Sequence, residues 1–193
     1  MPRINNEKFY TNAIKIHGQS ARGLNWTSPA HQSLRFDIIL SLLPSDISNL
    51  TIVDAGCGFG DFYLYLQSNS RTPHKYIGID SLKKMCKFAS RKTKQEILNR
   101  DICKDKLPVA DYYICSGALN ILTPFETIQF IQNCYKASKK GFIFNILHGD
   151  KESETYNYLS THKIQNIAKE LGVEVLIMEN DYLDNDITCM FIA

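Results

Sequence analysis

The chain contains no uninterrupted apolar run of the roughly 18 residues or more that a membrane-spanning helix requires, so no membrane association is expected. Its opening residues, MPRINNEKFY, hold no apolar core of the kind found in a secretory leader. The six cysteines, Cys57, Cys86, Cys103, Cys115, Cys134 and Cys189, form no C-x-x-C pair and no Cys/His cluster at zinc spacing, which argues against a structural metal. Several fall inside apolar segments, where a free thiol behaves as a small hydrophobe; reduced cysteines of this kind suit a cytoplasmic protein. Charge of one sign is scarce as well. The 22 Lys and Arg against 20 Asp and Glu leave a net charge of +2, too little for the electrostatic footprint of a nucleic-acid binder. Repeats, low-complexity tracts and Pro/Gly-rich linkers are missing, and no catalytic triad is recognisable.

What the 193 residues do contain is enough for one domain with a substantial core. Short apolar runs alternate with amphipathic stretches, the pattern of a mostly parallel sheet with helices on both faces. Ser28-Pro29 reads as N-cap and first helical residue, with Leu34, Ile38, Ile39 and Leu42 as the apolar face of a helix stopped by Pro44. Leu50–Val53 reads as the first buried strand, and Tyr76–Ile79 as the second, ending at Asp80. Leu82, Met85, Phe88 and Ala89 mark a helix face. Strands near 96–98 and 111–115 follow. Thr123-Pro124-Phe125-Glu126 is a capping box opening a helix that ends in a Lys-rich turn, with Gly141 as its stop. A strand over 142–147, a helix carrying Ile164, Ile167, Ala168 and Leu171, and two closing strands at 173–178 and 187–192 make seven strands in all. The expected fold is a Rossmann-like, doubly wound, seven-stranded, mostly parallel α/β sheet.

The strongest local signal is VDAGCGFGDF at 53–62. A buried strand runs into a glycine-dense turn and a helix starts at once, so the backbone can approach a ligand closely while the helix N-terminus offers free N–H groups. A dinucleotide turn would read G-x-G-x-x-G, with a pyrophosphate on the helix N-terminus. Here Asp61 stands where the third glycine of that pattern belongs, and Asp54 ends the strand. Carboxylates beside a diphosphate would repel it, whereas the sulfonium and ammonium of S-adenosylmethionine suit an acidic, glycine-lined turn.

The segment resembles motif I of the class I S-adenosylmethionine-dependent methyltransferases, D/E-x-G-x-G-x-G, matched by Asp54, Gly56, Gly58 and Gly60. The resemblance implies S-adenosylmethionine as cofactor and S-adenosylhomocysteine as product, with Asp54, Ala55, Gly56, Cys57 and Gly58 in the cofactor turn. It implies that Asp80, 26 residues beyond Asp54, accepts both ribose hydroxyls beside Ser81. Asp101 and Ile102 are implied at the adenine, and Ser116 and Gly117 at the methionine end and the transferred methyl. An arginine before the first strand pairs with the methionine carboxylate in some members, which makes Arg35 a candidate here.

Methyl transfer asks little of side chains beyond alignment and desolvation. Acceptor-facing groups are expected from the N-terminal segment and the loops at the carboxyl ends of the strands. Residues 1–48 would form a helical lid and substrate segment, and 49–193 the cofactor-binding core. The lid resembles that of small-molecule members of the family and holds Tyr10, Arg22 and Trp26 as acceptor-side candidates; Asn120 in the fourth-strand loop and His148 after the fifth strand join them. The fourth-strand loop reads Ser116-Gly117-Ala118-Leu119 in place of the Asn/Asp-Pro-Pro-aromatic motif of nucleic-acid base amino-methylases. A small-molecule acceptor is therefore expected. The alternatives are a methyltransferase acting on protein or RNA, and a non-catalytic S-adenosylmethionine-binding module.

Overall fold

The computed structural model describes residues 4–24 and 28–193. Five parallel strands form its centre: β1 (Thr51–Ala55), β2 (Lys75–Asp80), β3 (Glu96–Asn99), β4 (Ala110–Ser116) and β5 (Ser138–His148). Two further strands, β7 (Val175–Glu179) and β8 (Asp186–Ile192), complete the order β3-β2-β1-β4-β5-β8-β7. β8 runs antiparallel to both of its neighbours. The expected seven strands are joined by a two-residue eighth, β6 (Tyr158–Leu159), parallel to the end of β5. Strand order reverses between β1 and β4, and that switch point opens a crevice at their carboxyl ends.

Both faces of the sheet are covered, which is why its central strands are apolar throughout. On one face Ile52, Tyr76 and Ile114 pack against α2 (Pro29–Leu42) and α3 (Asp61–Ser68) through Phe36, Ile39, Phe62 and Leu66. On the other, Val53, Tyr113 and Phe144 meet Phe130, Ile131, Ile164 and Ile167 of α5 (Pro124–Ala137) and α6 (Thr161–Glu170). The helix α4 (Lys83–Thr93) lies against β2 and β3. The capping box at Thr123 and Glu126 forms with both reciprocal bonds in place.

Two local expectations change. Ser28 caps α2 through His31 N, as its sequence indicates, but the buried face is Gln32, Arg35, Phe36 and Ile39. Leu34 is 38% exposed. The helix is rotated because Phe36 packs edge-on against Phe62, with ring centroids 5.2 Å apart, and Arg35 pairs with Asp186 at the start of β8. Gly141 does not stop α5; it lies inside β5. A Cβ at Gly141 would sit 2.7 Å from the Phe191 carbonyl, so the glycine serves the close approach of β8.

Ahead of the sheet, α1 (Asn6–His17) is capped by the Asn5 side chain, which accepts from Lys8 N. Ala13 is its one buried residue. A single 3₁₀ turn, Ala21–Leu24, packs against it. Among the described residues no helix is long and apolar enough to cross a membrane.

Candidate active site

The glycine turn is fixed by its own backbone. The N–H groups of Gly56 and Cys57 both donate to the Ile79 carbonyl at 2.8 and 3.0 Å, and Gly60 N donates to Cys57 O at 2.8 Å. Gly56 has φ +81°, and a Cβ there would lie 2.4 Å from Ala118 Cβ. Only glycine fits a left-handed turn so closely faced by the fourth-strand loop. Gly60, also left-handed, is the N-cap of α3 and offers no side chain to its free N–H groups.

Asp80 closes the turn from β2. Its carboxylate accepts from Gly58 N at 3.1 Å and from Leu82 N at 2.8 Å. Burial raises its pKa to about 6, against the lowering effect of those two N–H groups. Asp54, buried beneath the turn, accepts from the Tyr76 hydroxyl at 2.5 Å. Burial lifts it to about 7, the Tyr76 bond pulls it down, and the nearby Asp80 and Asp61 add to the rise. Asp61 is held by Lys92 and by Gln32 Nε2. The acidity read from the turn is thus tempered: Asp61 is paired, and Asp54 holds its proton more tightly than an exposed carboxyl.

Asp101 accepts from Cys103 N at 3.0 Å and pairs with Lys104 at 3.1 Å. Gly117 N donates to Asn145 Oδ1 at 3.0 Å, tying the fourth-strand loop to β5. These residues converge on one cavity of about 540 Å³, within the range of about 300–1,000 Å³ usual for small-molecule sites. Of the cofactor candidates, Asp54, Gly56, Cys57, Gly58, Asp80, Ser81, Asp101, Ile102, Ser116 and Gly117 line it. Ala55 is fully buried within β1 and does not.

Arg35 is not brought to the cavity. Its guanidinium is engaged with Asp186, which also accepts from the Tyr182 hydroxyl at 2.8 Å. The pairing of the methionine carboxylate expected of Arg35 is therefore not available to it in this arrangement. Tyr10 and Asn120 line the cavity. Arg22 is exposed and outside it. His148 points to Thr161, 3.0 Å from its hydroxyl, and is also outside. Trp26 lies outside the described residues. Sequence reading missed Gln32 and Phe36, which reach the cavity from the true face of α2, and Asn5, Asn6 and Phe9 of the α1 start. The i, i+4 spacing of Gln32 and Phe36 was the available signal.

The residues fit the adenosyl cofactor: a glycine cradle that a Cβ would fill at Gly56, then carboxylates at the ends of β1 and β2. Among the described residues no group of His, Cys, Asp and Glu is placed to hold a metal ion.

Residues 52–141 match the family model of a methyltransferase domain. No curated protein sequence matches the chain. Among solved structures, it is similar to magnesium protoporphyrin IX methyltransferase from Synechocystis with bound S-adenosylhomocysteine, at 14% identity and TM-score 0.69, over 100% of this chain and 89% of that one. A Haloferax volcanii methyltransferase in complex with the Trm112 activator aligns at TM-score 0.71 and 12% identity, over 97% and 96%. Human N-acetylserotonin methyltransferase with S-adenosylmethionine aligns at 0.68 and 15%, over 97% of this chain and 59% of that one. The matched segment runs from β1 into β5 and holds the glycine turn, Asp80, Asp101 and the fourth-strand loop; over it the chain is similar to a methyltransferase domain. These likenesses are to methyltransferases, two of them solved with S-adenosylhomocysteine or S-adenosylmethionine bound.

Proposed function

We propose that the protein methylates a small-molecule acceptor held between the carboxyl end of β4 and the start of α1. The observation that carries this reading is the roof: Asn5, Asn6, Phe9 and Tyr10 share one cavity with the cofactor turn and with Ser116. In this reading 1–48 is the lid and 49–193 the cofactor-binding core. The cofactor, when bound, supplies a methyl group activated by a positively charged sulphur. Asp80 and Ser81 would hold its ribose, Asp101 and Ile102 its adenine, and the 54–58 turn with Ser116 and Gly117 its methionine end. Tyr10 and Asn120 would face the acceptor, with Phe36 excluding water behind it.

Solved neighbours named for small molecules, magnesium protoporphyrin IX and N-acetylserotonin, support an acceptor of this size. The net charge of +2 gives no support to a nucleic-acid partner, and six free thiols suit a cytoplasmic enzyme. The test is methyl transfer from S-adenosylmethionine labelled in its methyl group into a cell extract separated into small-molecule, protein and RNA fractions. Label is expected in the small-molecule fraction. Label confined to protein or RNA would overturn the reading.

A further inference from the structure

The net charge of +2 conceals an uneven distribution. Residues 81–95 hold six cations, Lys83, Lys84, Lys87, Arg91, Lys92 and Lys94, and no acid, so the rest of the chain is net negative. All but Lys94, its C-cap, lie on α4, and all six are exposed. Lys92 pairs with Asp61, and the Lys84 ammonium lies over the Phe88 ring at 6.0 Å. Among the described residues the other four have no acidic partner.

This arrangement works against the helix that carries it. Lys83 and Lys84 stand in its first turn, where the helix dipole is positive and cations are unfavourable. No acid joins them there, and Leu82 supplies no side-chain cap. Lys83, Lys87 and Arg91 follow at i, i+4 spacing, so each meets a like charge one turn away, which is destabilising. Only Arg91 and Lys92, in the last turn, suit the dipole. The buried side, Met85, Cys86, Ala89 and Thr93, holds α4 on β2 and β3 nonetheless. A helix anchored by its inner face and self-repelling along its outer face is the local conflict that marks a functional surface. A polyanion lying along it relieves the repulsion.

The ridge selects its anion. Lys83, Lys87, Arg91 and Lys94 follow one another about 6 Å apart, close to the separation of successive phosphates along a strand. Ser90 is exposed between them, and Phe88 is half-buried under Lys84. The face thus offers no apolar anchor to fill a pocket on a protein partner or to enter a bilayer. A phosphodiester backbone asks only for cations and hydroxyls. One ridge serves one strand, and RNA is the nucleic acid commonly recognised in single-stranded form.

We infer that the outer face of α4 docks the backbone of single-stranded RNA without reading its bases. The ridge starts beside Ser81 and Leu82 at the cavity rim and runs toward the amino end of β3, away from the acceptor site. The RNA therefore lies on the flank of the molecule and is not the methyl acceptor. The inference goes beyond the small-molecule reading and does not rest on it.

The test uses the full-length protein and a fluorescent oligouridine of about 20 nucleotides, with anisotropy read from about 50 to about 300 mM salt. Log affinity should fall with log salt at a slope of about −3, four phosphates at about −0.7 each. Lys87→Gln combined with Arg91→Gln should roughly halve the slope and weaken binding at the lowest salt at least about tenfold. The same double variant should keep its S-adenosylhomocysteine affinity, and its melting temperature should hold or rise, which separates lost docking from lost folding. Lys136→Gln combined with Lys169→Gln, exposed cations of α5 and α6, should leave RNA affinity within about twofold. No binding at the lowest salt, a slope near zero, or a Lys87/Arg91 double variant that binds as tightly as the unsubstituted protein would each overturn the inference. So would tighter binding of poly-glutamate, of vesicles rich in anionic phospholipid, or of duplex DNA of the same length. Failure of the unsubstituted protein to bind S-adenosylhomocysteine would remove the methyltransferase reading and leave this inference standing.

Discussion

The cradle and the roof of the cavity are built by opposite means. The cradle, from β1 to Asp80, is locked by short-range backbone bonds: Ile79 O receives two N–H groups, and Asp80 receives two more. Gly56 and Gly60 face neighbours 2.4 Å from where a Cβ would stand, which leaves no room for a side chain. The roof is a 12-residue helix with one buried residue, held mainly by the 3₁₀ turn behind it. A rigid floor can preorganise a cofactor, while a lightly packed cover is drawn from the low-stability end of the molecule and can admit an acceptor.

The comparison predicts that damage to the floor is large and damage to the roof selective. Gly56→Val should have the greatest effect. A left-handed φ costs a side chain about 1–3 kcal/mol, and the collision with Ala118 adds to it, so calorimetry should register a loss of S-adenosylhomocysteine affinity of at least about 100-fold, with circular dichroism reporting whether the sheet persists. Asp80→Asn should follow, weakening the same ligand by about 10- to 100-fold, as expected for a charged hydrogen-bond acceptor worth about 1.5–3 kcal/mol. Next comes pH. Asp54 and Asp80 have folded-state pKa values of about 7 and about 6, above their ordinary 3.8. Their contribution to the stability of the empty protein is therefore fully present below that ordinary value and is lost as pH rises through 6 to 7. A positively charged ligand prefers both groups ionised, so S-adenosylmethionine affinity should rise several-fold across the same interval, and Asp54→Asn should flatten the rise. Affinity that fell with pH would contradict the assignment of these acids.

Roof substitutions should behave differently. Tyr10→Ala is expected to leave S-adenosylhomocysteine affinity within about threefold while lowering acceptor affinity about tenfold, on the scale of a lost aromatic wall of about 1.4 kcal/mol. Equal losses for both ligands would erase the distinction between floor and roof. The smallest effect should come from Leu34→Ala, on the outward side of α2, within about 0.5 kcal/mol in chemical denaturation; Ile39→Ala on the buried side should cost about 2–5 kcal/mol.

The same division explains what the sequence made legible. The glycine turn, Asp80 and the capping box at Thr123 are written in consecutive or closely spaced residues, because backbone geometry dictates them locally. Arg35 misled because its partner, Asp186, lies 151 positions away, and no local pattern encodes that meeting. It also sets the rotation of α2, which brings Gln32 and Phe36 to the cavity in place of the face suggested by Leu34 and Ile38. Gly141 was read as a helix stop because Lys136, Lys139 and Lys140 precede it; its actual constraint is the Phe191 carbonyl across the sheet. His148 is the last residue of β5 where the sequence suggests a loop position just beyond it, and its direction depends on Thr161 of α6.

The most direct measurement is a calorimetric comparison of S-adenosylmethionine, S-adenosylhomocysteine, NAD and ATP on the purified protein, paired with thermal shifts, since a ligand specific to the folded state raises its melting temperature by mass action. Binding and stabilisation by the two adenosyl sulphur compounds, with none by NAD or ATP, is the predicted result. A response to NAD or ATP alone, or silence toward both sulphur compounds at millimolar concentration, would contradict the account.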